Sequence, residues 1–305
     1  MKGEDIKAYK VIHHNDFAYN PARINVGSIA KYNGYEPCMI SSLYVCFKAN
    51  NEVNEDWLMH LLRTPKVQYY YQLNGEGGVR IYLFYPNFAR IRTSIPSIEE
   101  QKKIAKILSI IDERIATQNK IIDNLQSLIK GLAKELTQQG EPNTRISDCL
   151  ECHTSTLQES NLQESGKYPV YGASGVAGHL DEYVCDKDSI LIIKDGSGVG
   201  TVSRVSGKYS VIGTLNYLTA KPGYSLIYLY FCLRSFNFNL FKTGMAIPHI
   251  YFKDYERAKI WCPTLESQND IAKILSAIEE KLQIESGILD SLHRKKSYLL
   301  NNMFI

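Results

Sequence analysis

The chain has 305 residues, 44% hydrophobic and 22% charged, an ordinary balance for a folded protein with room for two or three domains. A net charge of +3 neither demands nor excludes nucleic acid, because a local basic patch matters more than the sum. No apolar run reaches the length of a membrane span and the opening MKGEDIKAYK has no apolar signal core, so the cytoplasm is the expected compartment.

Residues 1–95 predict strands around 16–19 and 39–47, then a helical stretch over 55–73. Asn20 and Pro21 resemble the start of an amino-methyltransferase tetrapeptide, but Ala22 and Arg23 do not complete it. A long helix begins near Pro96, a residue that suits the first helical position, with Glu99 and Glu100 in the positive first turn. Ile104, Leu108, Ile111, Ile115, Gln118, Ile122, Leu125, Ile129 and Leu132 step by four and three, the seam spacing of a coiled coil. Roughly forty residues at 1.5 Å each make a rod of about 60 Å. Gly140, Glu141, Pro142 and Asn143 then break the helix, and a new domain is expected near Thr144.

From there to Cys262 the chain is rich in tyrosine, valine, isoleucine and glycine. Strands are expected over 168–171, 189–193, 200–205 and 210–218, and a helix over 226–241. Cys149, Cys152 and His153 spell the C-x-x-C-H of c-type haem attachment, but no second ligand pair is spaced for zinc and no export signal accompanies them. They read as a loop and strand start. The seven cysteines are an odd, scattered set that suits reduced thiols. DGSGVG at 195–200 is followed by an alternating TVSRVSGKY rather than a helix, so it reads as a hairpin turn and not a nucleotide-binding turn.

A second long helix starts at Pro263 and copies the first without a gap, at a shift of 167 positions (263 less 96). Ile104, Ala105, Lys106, Ile107, Leu108 and Ser109 return as Ile271, Ala272, Lys273, Ile274, Leu275 and Ser276. Its seam runs Ile271, Leu275, Ile278, Leu282, Glu285, Leu289, Leu292, Lys296 and Leu299. Gln118 and Glu285 place a polar residue at the same seam position of both copies, a device that fixes register. Upstream, Gly77, Phe88 and Arg90 return as Gly244, Tyr255 and Arg257. The order is therefore globule, rod, globule, rod, with boundaries at 1–95, 96–140, 141–262 and 263–305. Aligning Asp16 with Asp188 gives the globules a shift of about 172, so the first has no counterpart of roughly residues 144–172 and its sheet should be incomplete.

No clustered carboxylate, lysine and glutamine set of a nuclease is present, nor a phosphate loop, so no catalytic residue, cofactor or metal ligand is assigned. What remains is a binding surface. Tyr171, Lys194, Ser197, Arg204, Lys208, Asn216, Lys242 and His249 in the second globule, with Arg80 in the first, are the candidate DNA-binding residues. Basic groups neutralise phosphates, while amides and planar side chains reach base edges. Leu108, Ile111, Ile115, Leu275, Ile278 and Leu282 on the rods are the candidate partner-docking residues.

PSIEEQKKIAKIL from Pro96 and PTLESQNDIAKIL from Pro263, each opening a heptad helix, resemble the conserved regions of the specificity subunit of Type I restriction-modification systems. YPVYGASGVAGHLDEY and GMAIPHIYFKDYERAKIWCP resemble the opening and close of a target-recognition domain of that family. The resemblance implies an α+β chain in which two β-rich target-recognition domains are held apart by two long helices in an antiparallel coiled coil, with a pseudo-twofold internal repeat. It also implies a non-catalytic subunit that reads a two-part target in double-stranded DNA. Two modification subunits, which bind S-adenosylmethionine and methylate adenine, dock on the helices, and a restriction subunit joins to translocate and cut. The short first globule departs from the pattern and is expected to be the rear part of a recognition domain. Two rival readings are a coiled-coil adaptor whose globules bind protein and a complete DNA enzyme, the latter disfavoured by the missing cofactor motifs.

Overall fold

Asn54 and Thr64 start two helices where the sequence suggests one. The Asn54 side chain accepts from Trp57 N at 3.0 Å and opens α1 (Glu55–Leu61), and Thr64 accepts from Val67 N at 3.3 Å to open α2 (Pro65–Asn74). Pro65 lacks an N–H and sits at the first position of α2, so the single stretch expected over 55–73 breaks between the two caps. The structure, a computed structural model, describes residues 8–77 and 81–304.

The chain divides into two compact units, each holding one β-rich domain and half of each long helix. The first unit comprises residues up to Lys120 together with those from Ser286 onward. Its strands are β1 (Lys10–Ile12), β2 (Phe17–Tyr19), β3 (Ile29–Lys31), β4 (Cys38–Ile40) and β5 (Val45–Phe47). They form a three-stranded sheet, β3-β2-β5, and an antiparallel pair, β1-β4. β1 and β3, three residues each, escape sequence reading because so short a run shows no alternation. Phe17, Tyr19, Ile24, Trp57, Tyr71 and Leu83 are buried together with Leu108 of α4 (Ile98–Thr137). A short helix, α3 (Tyr85–Phe88), closes the domain, and its Phe88 stacks on Tyr19 at 5.1 Å.

The second unit, Ile121–Glu285, opens with β6 (Thr144–Arg145), the single turn α5 (Ile146–Cys149) and β7 (Leu150–Thr154). It continues with β8 (Tyr168–Gly172), β9 (Gly175–Leu180), β10 (Ser189–Ile193), β11 (Val202–Val205), β12 (Ser210–Val211) and β13 (Leu215–Ala220). One sheet runs β11-β10-β13-β7 and a second β12-β8-β9, with β12 parallel to β8. Every residue of β10 is buried because both faces are covered. Ile190 and Ile192 pack with α4 and with α6 (Leu226–Ser235), while Leu191 and Ile193 pack towards the second sheet. The strand expected over 210–218 leaves one sheet for the other: Ile212 N donates to Tyr171 O and Gly213 N to Leu157 O before β13 begins. The helix expected over 226–241 ends at Ser235, followed by a separate turn at Phe238–Phe241. The unit closes with α7 (Phe252–Tyr255), β14 (Lys259–Ile260) and the start of α8 (Leu265–Asn302). Cys149 is buried and His153 stacks on Tyr217 at 4.9 Å, so the C-x-x-C-H residues serve packing.

The two long helices meet antiparallel within each unit. In the first, Ala105 and Leu108 share a core with Leu299, Leu300 and Phe304, and Lys296 pairs with Asp112 at 2.5 Å. In the second, Ile129 and Ala133 share a core with Ile271, Ala272 and Leu275. No residue of either expected seam is exposed, and both Gln118 and Glu285 are buried. Glu285 holds Lys281 of the preceding turn at 2.7 Å.

One residue per repeat joins domain to helix. Gln101 is fully buried: its Oε1 accepts from Asn54 N at 2.7 Å, and its Nε2 donates to Glu52 O at 3.0 Å and Pro96 O at 2.9 Å. Gln268 does the same in the second unit, accepting from Ser225 N at 2.9 Å and donating to Pro263 O at 2.9 Å. Asn54 and Ser225 are the caps of α1 and α6. The glutamine of each P-x-x-E-x-Q stretch thus satisfies the orphan amide at the start of a domain helix.

Candidate nucleic-acid interface

The β10–β11 hairpin of the second unit turns through DGSGVG, as its sequence suggests. Gly200 N donates to Ile193 O at 2.9 Å, and Ile193 N to Thr201 O at 3.1 Å. Residues 243–249 lie beside this turn. Gly196 N donates to Pro248 O at 3.0 Å, Ile250 N to Lys194 O at 2.9 Å, and Asp195 bridges His249. Thr243 and His249 close the loop with reciprocal bonds of 2.9 and 2.8 Å. A side chain at Gly200 would lie 2.9 Å from Phe238 Cβ and 3.6 Å from Lys242 Cε, so the turn and residue 242 are in contact. Lys194, Ser197, Lys242 and His249 are therefore brought to one end of the domain. Met245 projects fully from the loop between them, and Ile247 is largely exposed.

The loop has a twin in the first unit at the same shift of 167 (243 less 76). Glu76 and Tyr82 exchange two bonds of 2.8 Å, as Thr243 and His249 do. Gly77 and Gly244 both hold positive φ, 109° and 86°. At Gly244 a Cβ would fall 2.4 Å from Ile247 O, so the position requires glycine. The link to the neighbouring turn also recurs, with Leu83 N donating to Pro21 O at 3.0 Å where Ile250 N meets Lys194 O. Asn20 and Pro21 form this turn, and the exposed Arg23 follows them. Arg80 lies outside the described residues.

The other sequence candidates fall elsewhere. Tyr171 and Lys208 belong to the second sheet side: the Tyr171 ring meets Tyr209 edge-on at 6.0 Å, and Lys208 lies over Tyr183 at 4.7 Å. Arg204 stands opposite Ile190, and directly paired residues share a face, so its side chain turns towards the helices. There its guanidinium meets Glu279 of α8 at 3.3 Å and lies over Tyr230 at 5.7 Å. Arg234 binds the same carboxylate at 2.7 Å and the Tyr230 hydroxyl donates to it at 2.9 Å. Burial pushes that hydroxyl up to about 12, against the pull of Arg234, so it stays a donor. Asn216 is 2% exposed, opposite Ile192 on the helix side. Asn216 is thus buried and Arg204, partly exposed, lies against Glu279 and Tyr230 on the helix side, away from the loop cluster.

The docking candidates differ in burial. Leu108 and Leu275 are wholly buried and Ile111 nearly so, each in the core of its own unit, while Ile115, Ile278 and Leu282 are half-buried. The buried seam residues hold the helices together. The exposed aliphatics lie on other faces: Ile107, Ile110, Ile121 and Leu128 on α4, and Ile274, Ile284 and Ile288 on α8. Ile107 returns as Ile274 and Ile121 as Ile288, an identity outside the seam that the sequence already contained.

A duplicated β-rich domain with a long helix behind each copy defines the fold of a DNA specificity subunit. The model of the Type I restriction modification DNA specificity domain matches residues 9–127 and again 143–294, and the chain belongs to this family. It is 23% identical to a Methanocaldococcus jannaschii protein assigned as the specificity subunit of the MjaX type I restriction enzyme, over 99% of this chain and 80% of that one. It is 25% identical to the MjaVIII specificity subunit of the same organism, over 86% of this chain and 72% of the relative. The crystal structure of a Type I system S subunit from M. genitalium shares the fold, with a TM-score of 0.73 at 16% identity over 96% of this chain and 83% of the other. A structure solved for complex assembly and conformational transition of the type I R-M system matches with a TM-score of 0.60 over 96% and 82%. The family supports a role in DNA sequence recognition within restriction-modification systems. Among the described residues no helix is long and apolar enough to cross a membrane, and no group of His, Cys, Asp and Glu is placed to hold a metal.

Proposed function

We propose that this chain reads a two-part target in double-stranded DNA, one half per domain, and docks the modification subunits of a Type I restriction-modification complex on its long helices. The observation that carries this reading is the repeated loop. Both domains present a glycine-opened, β-bridged loop beside the turn after the central strand, and in the second domain its backbone bonds bring Lys194, Ser197, Lys242 and His249 to the end that also carries the exposed Met245. Cations at such an edge neutralise phosphates, and an apolar side chain projecting between them suits contact with thymine methyls or wedging at a base step. The target-recognition domains of this reading are residues 1–95 and 141–262, the helices 96–140 and 263–305.

The chain supplies selection and not chemistry. Methyl transfer to an adenine turned out of the stack belongs to the partner. The exposed Ile107 and Ile274, related by the repeat, suit two copies of one modification subunit, and a restriction subunit completes the assembly. Co-expression with the modification subunit tests the reading: the complex should shift DNA carrying one two-part sequence and ignore scrambled DNA of equal length and charge. Lys194→Ala with Lys242→Ala should weaken that shift and leave assembly intact. Assembly without any sequence preference would favour the adaptor function instead.

A further inference from the structure

The first unit contains an apolar cavity of about 340 Å³ lined by Val53, Trp57, Leu61, Val67, Phe88 and Ile91 among others. The repeat shows what such a space holds. Counting from the two helix caps, Trp57 and Leu61 correspond to Tyr228 and Cys232 (225 less 54 gives 171), and by the shift of 167 Phe88, Ile91 and Ile95 correspond to Tyr255, Ala258 and Cys262. In the second unit these counterparts close around residues 143–150: Ile146 and Cys149 are fully buried among them, and Leu150 nearly so. The main chain is fixed as well. Asn143 N donates to Ile260 O at 3.1 Å, Ile146 N to Ala258 O at 3.0 Å and Ser147 N to Glu256 O at 2.9 Å. The Asn143 side chain brackets Cys262, accepting from its N and donating to its O, both at 2.9 Å.

Among the described residues of the first unit, the same receptor stands without that segment. Among the described residues nothing donates to the main-chain carbonyls of Ala89, Ile91 and Thr93, the counterparts of Glu256, Ala258 and Ile260. Carbonyls left without a protein donor along the rim of an apolar hole suit a peptide better than a small apolar ligand, because a peptide can pair with the one and fill the other. We propose that this cavity is a socket for a peptide segment supplied by another polypeptide and built like residues 143–150. Its short strand pairs with residues 92–93, and one helical turn then inserts an aliphatic side chain where Ile146 sits in the other unit. Seating it completes the first domain.

The test uses the intact chain and a labelled peptide of residues 141–151, EPNTRISDCLE. The proposal expects saturable one-to-one binding that changes Trp57 emission in a Trp261→Phe background. Affinity should fall at least about tenfold for the peptide with Ile146→Asp, and equally for chain carrying the rim substitution Ala89→Phe, whose fold is checked by circular dichroism. A second arm appends residues 139–150 directly after Ile305, where the repeat places them, since Thr137 corresponds to Phe304. The extended chain should melt several degrees higher and no longer bind free peptide. Absence of saturable binding, or binding indifferent to Ile146→Asp, would overturn the proposal. So would sedimentation showing dimers that the peptide dissolves, because the occupant would then be a second copy exchanging its own segment.

Discussion

The two domains share a frame and differ in how far it is filled. Both keep a central buried strand, a loop closed by a reciprocal bridge, and a glutamine that ties a domain helix to a long helix. The second adds a fourth strand to its sheet, a three-stranded sheet behind it and the 143–150 segment beneath its helix. The first shows three strands, a two-stranded pair and an open cavity among its described residues. Val11 and Met39 are exposed on that pair, whereas Val211, which the shift of 172 matches to Met39, is buried in the second domain. Parts that fix the domain to its helix recur residue by residue, and parts that enclose it do not. Selection of this kind fits a modular reader, in which the helix joint must be constant and the reading surface can vary.

The largest effects are expected from substitutions that unfold one unit before the other. Leu108→Ala and Leu275→Ala each remove a wholly buried side chain, and each should cost its own unit about 2–5 kcal/mol. Denaturant titration should show two transitions moving independently; a joint shift would mean the units are one cooperative body. A smaller effect is expected at the glutamines. Gln101→Ala strands a helix-cap amide and releases two carbonyls, whereas Gln268→Ala releases one carbonyl with its amide, so losses of about 1–3 kcal/mol should be larger in the first unit. Thermal melts of the pair check the order.

On the helices, Ile107→Asp with Ile274→Asp should abolish capture of the modification subunit without moving either melting transition, because both side chains are exposed. Capture that survives the double change would place docking elsewhere. At the loop, Lys194→Ala and Lys242→Ala should each reduce the slope of log affinity against log salt by about one. Arg204→Ala should leave that slope alone and cost at most about 1 kcal/mol of stability, its pair with Glu279 being partly exposed.

The smallest effect is a pH asymmetry. Burial holds His60 below its ordinary value of 6.5, with Lys296 and Arg63 pushing the same way and Asp112 opposing. The folded state therefore disfavours the charged ring. Stability of the first unit is full above the unfolded value and declines as pH falls through it, until the folded value is passed. The counterpart position in the second unit is Phe231, which does not titrate. Melts between pH 7 and 5 should thus show an extra loss in the first unit that His60→Phe removes.

Periodicity made the helices legible. Every expected seam residue is unexposed, because a three-four step over so long a run admits one face only. The central strand Ser189–Ile193 was legible as an unbroken apolar run, whereas β1 and β3 of the first domain, three residues each, carry too little pattern. The loop cluster was half legible. Lys194 and His249 stand 55 positions apart (249 less 194), and only the hydrogen bonds of Lys194 and Gly196 to residues 248–250 join them. Arg204 misled because the side it faces depends on register against Ile190, which composition does not encode. The socket was invisible from sequence, since it appears only when one unit's cavity is matched with the segment filling the other.

Mapping methylated adenines genome-wide in cells with and without this gene decides whether the chain selects a two-part target. One two-part motif with a fixed gap should disappear with the gene, and its second half should relax when Lys194 and Lys242 are replaced. Methylation unchanged by deletion, or a lost motif of one undivided part, would contradict it.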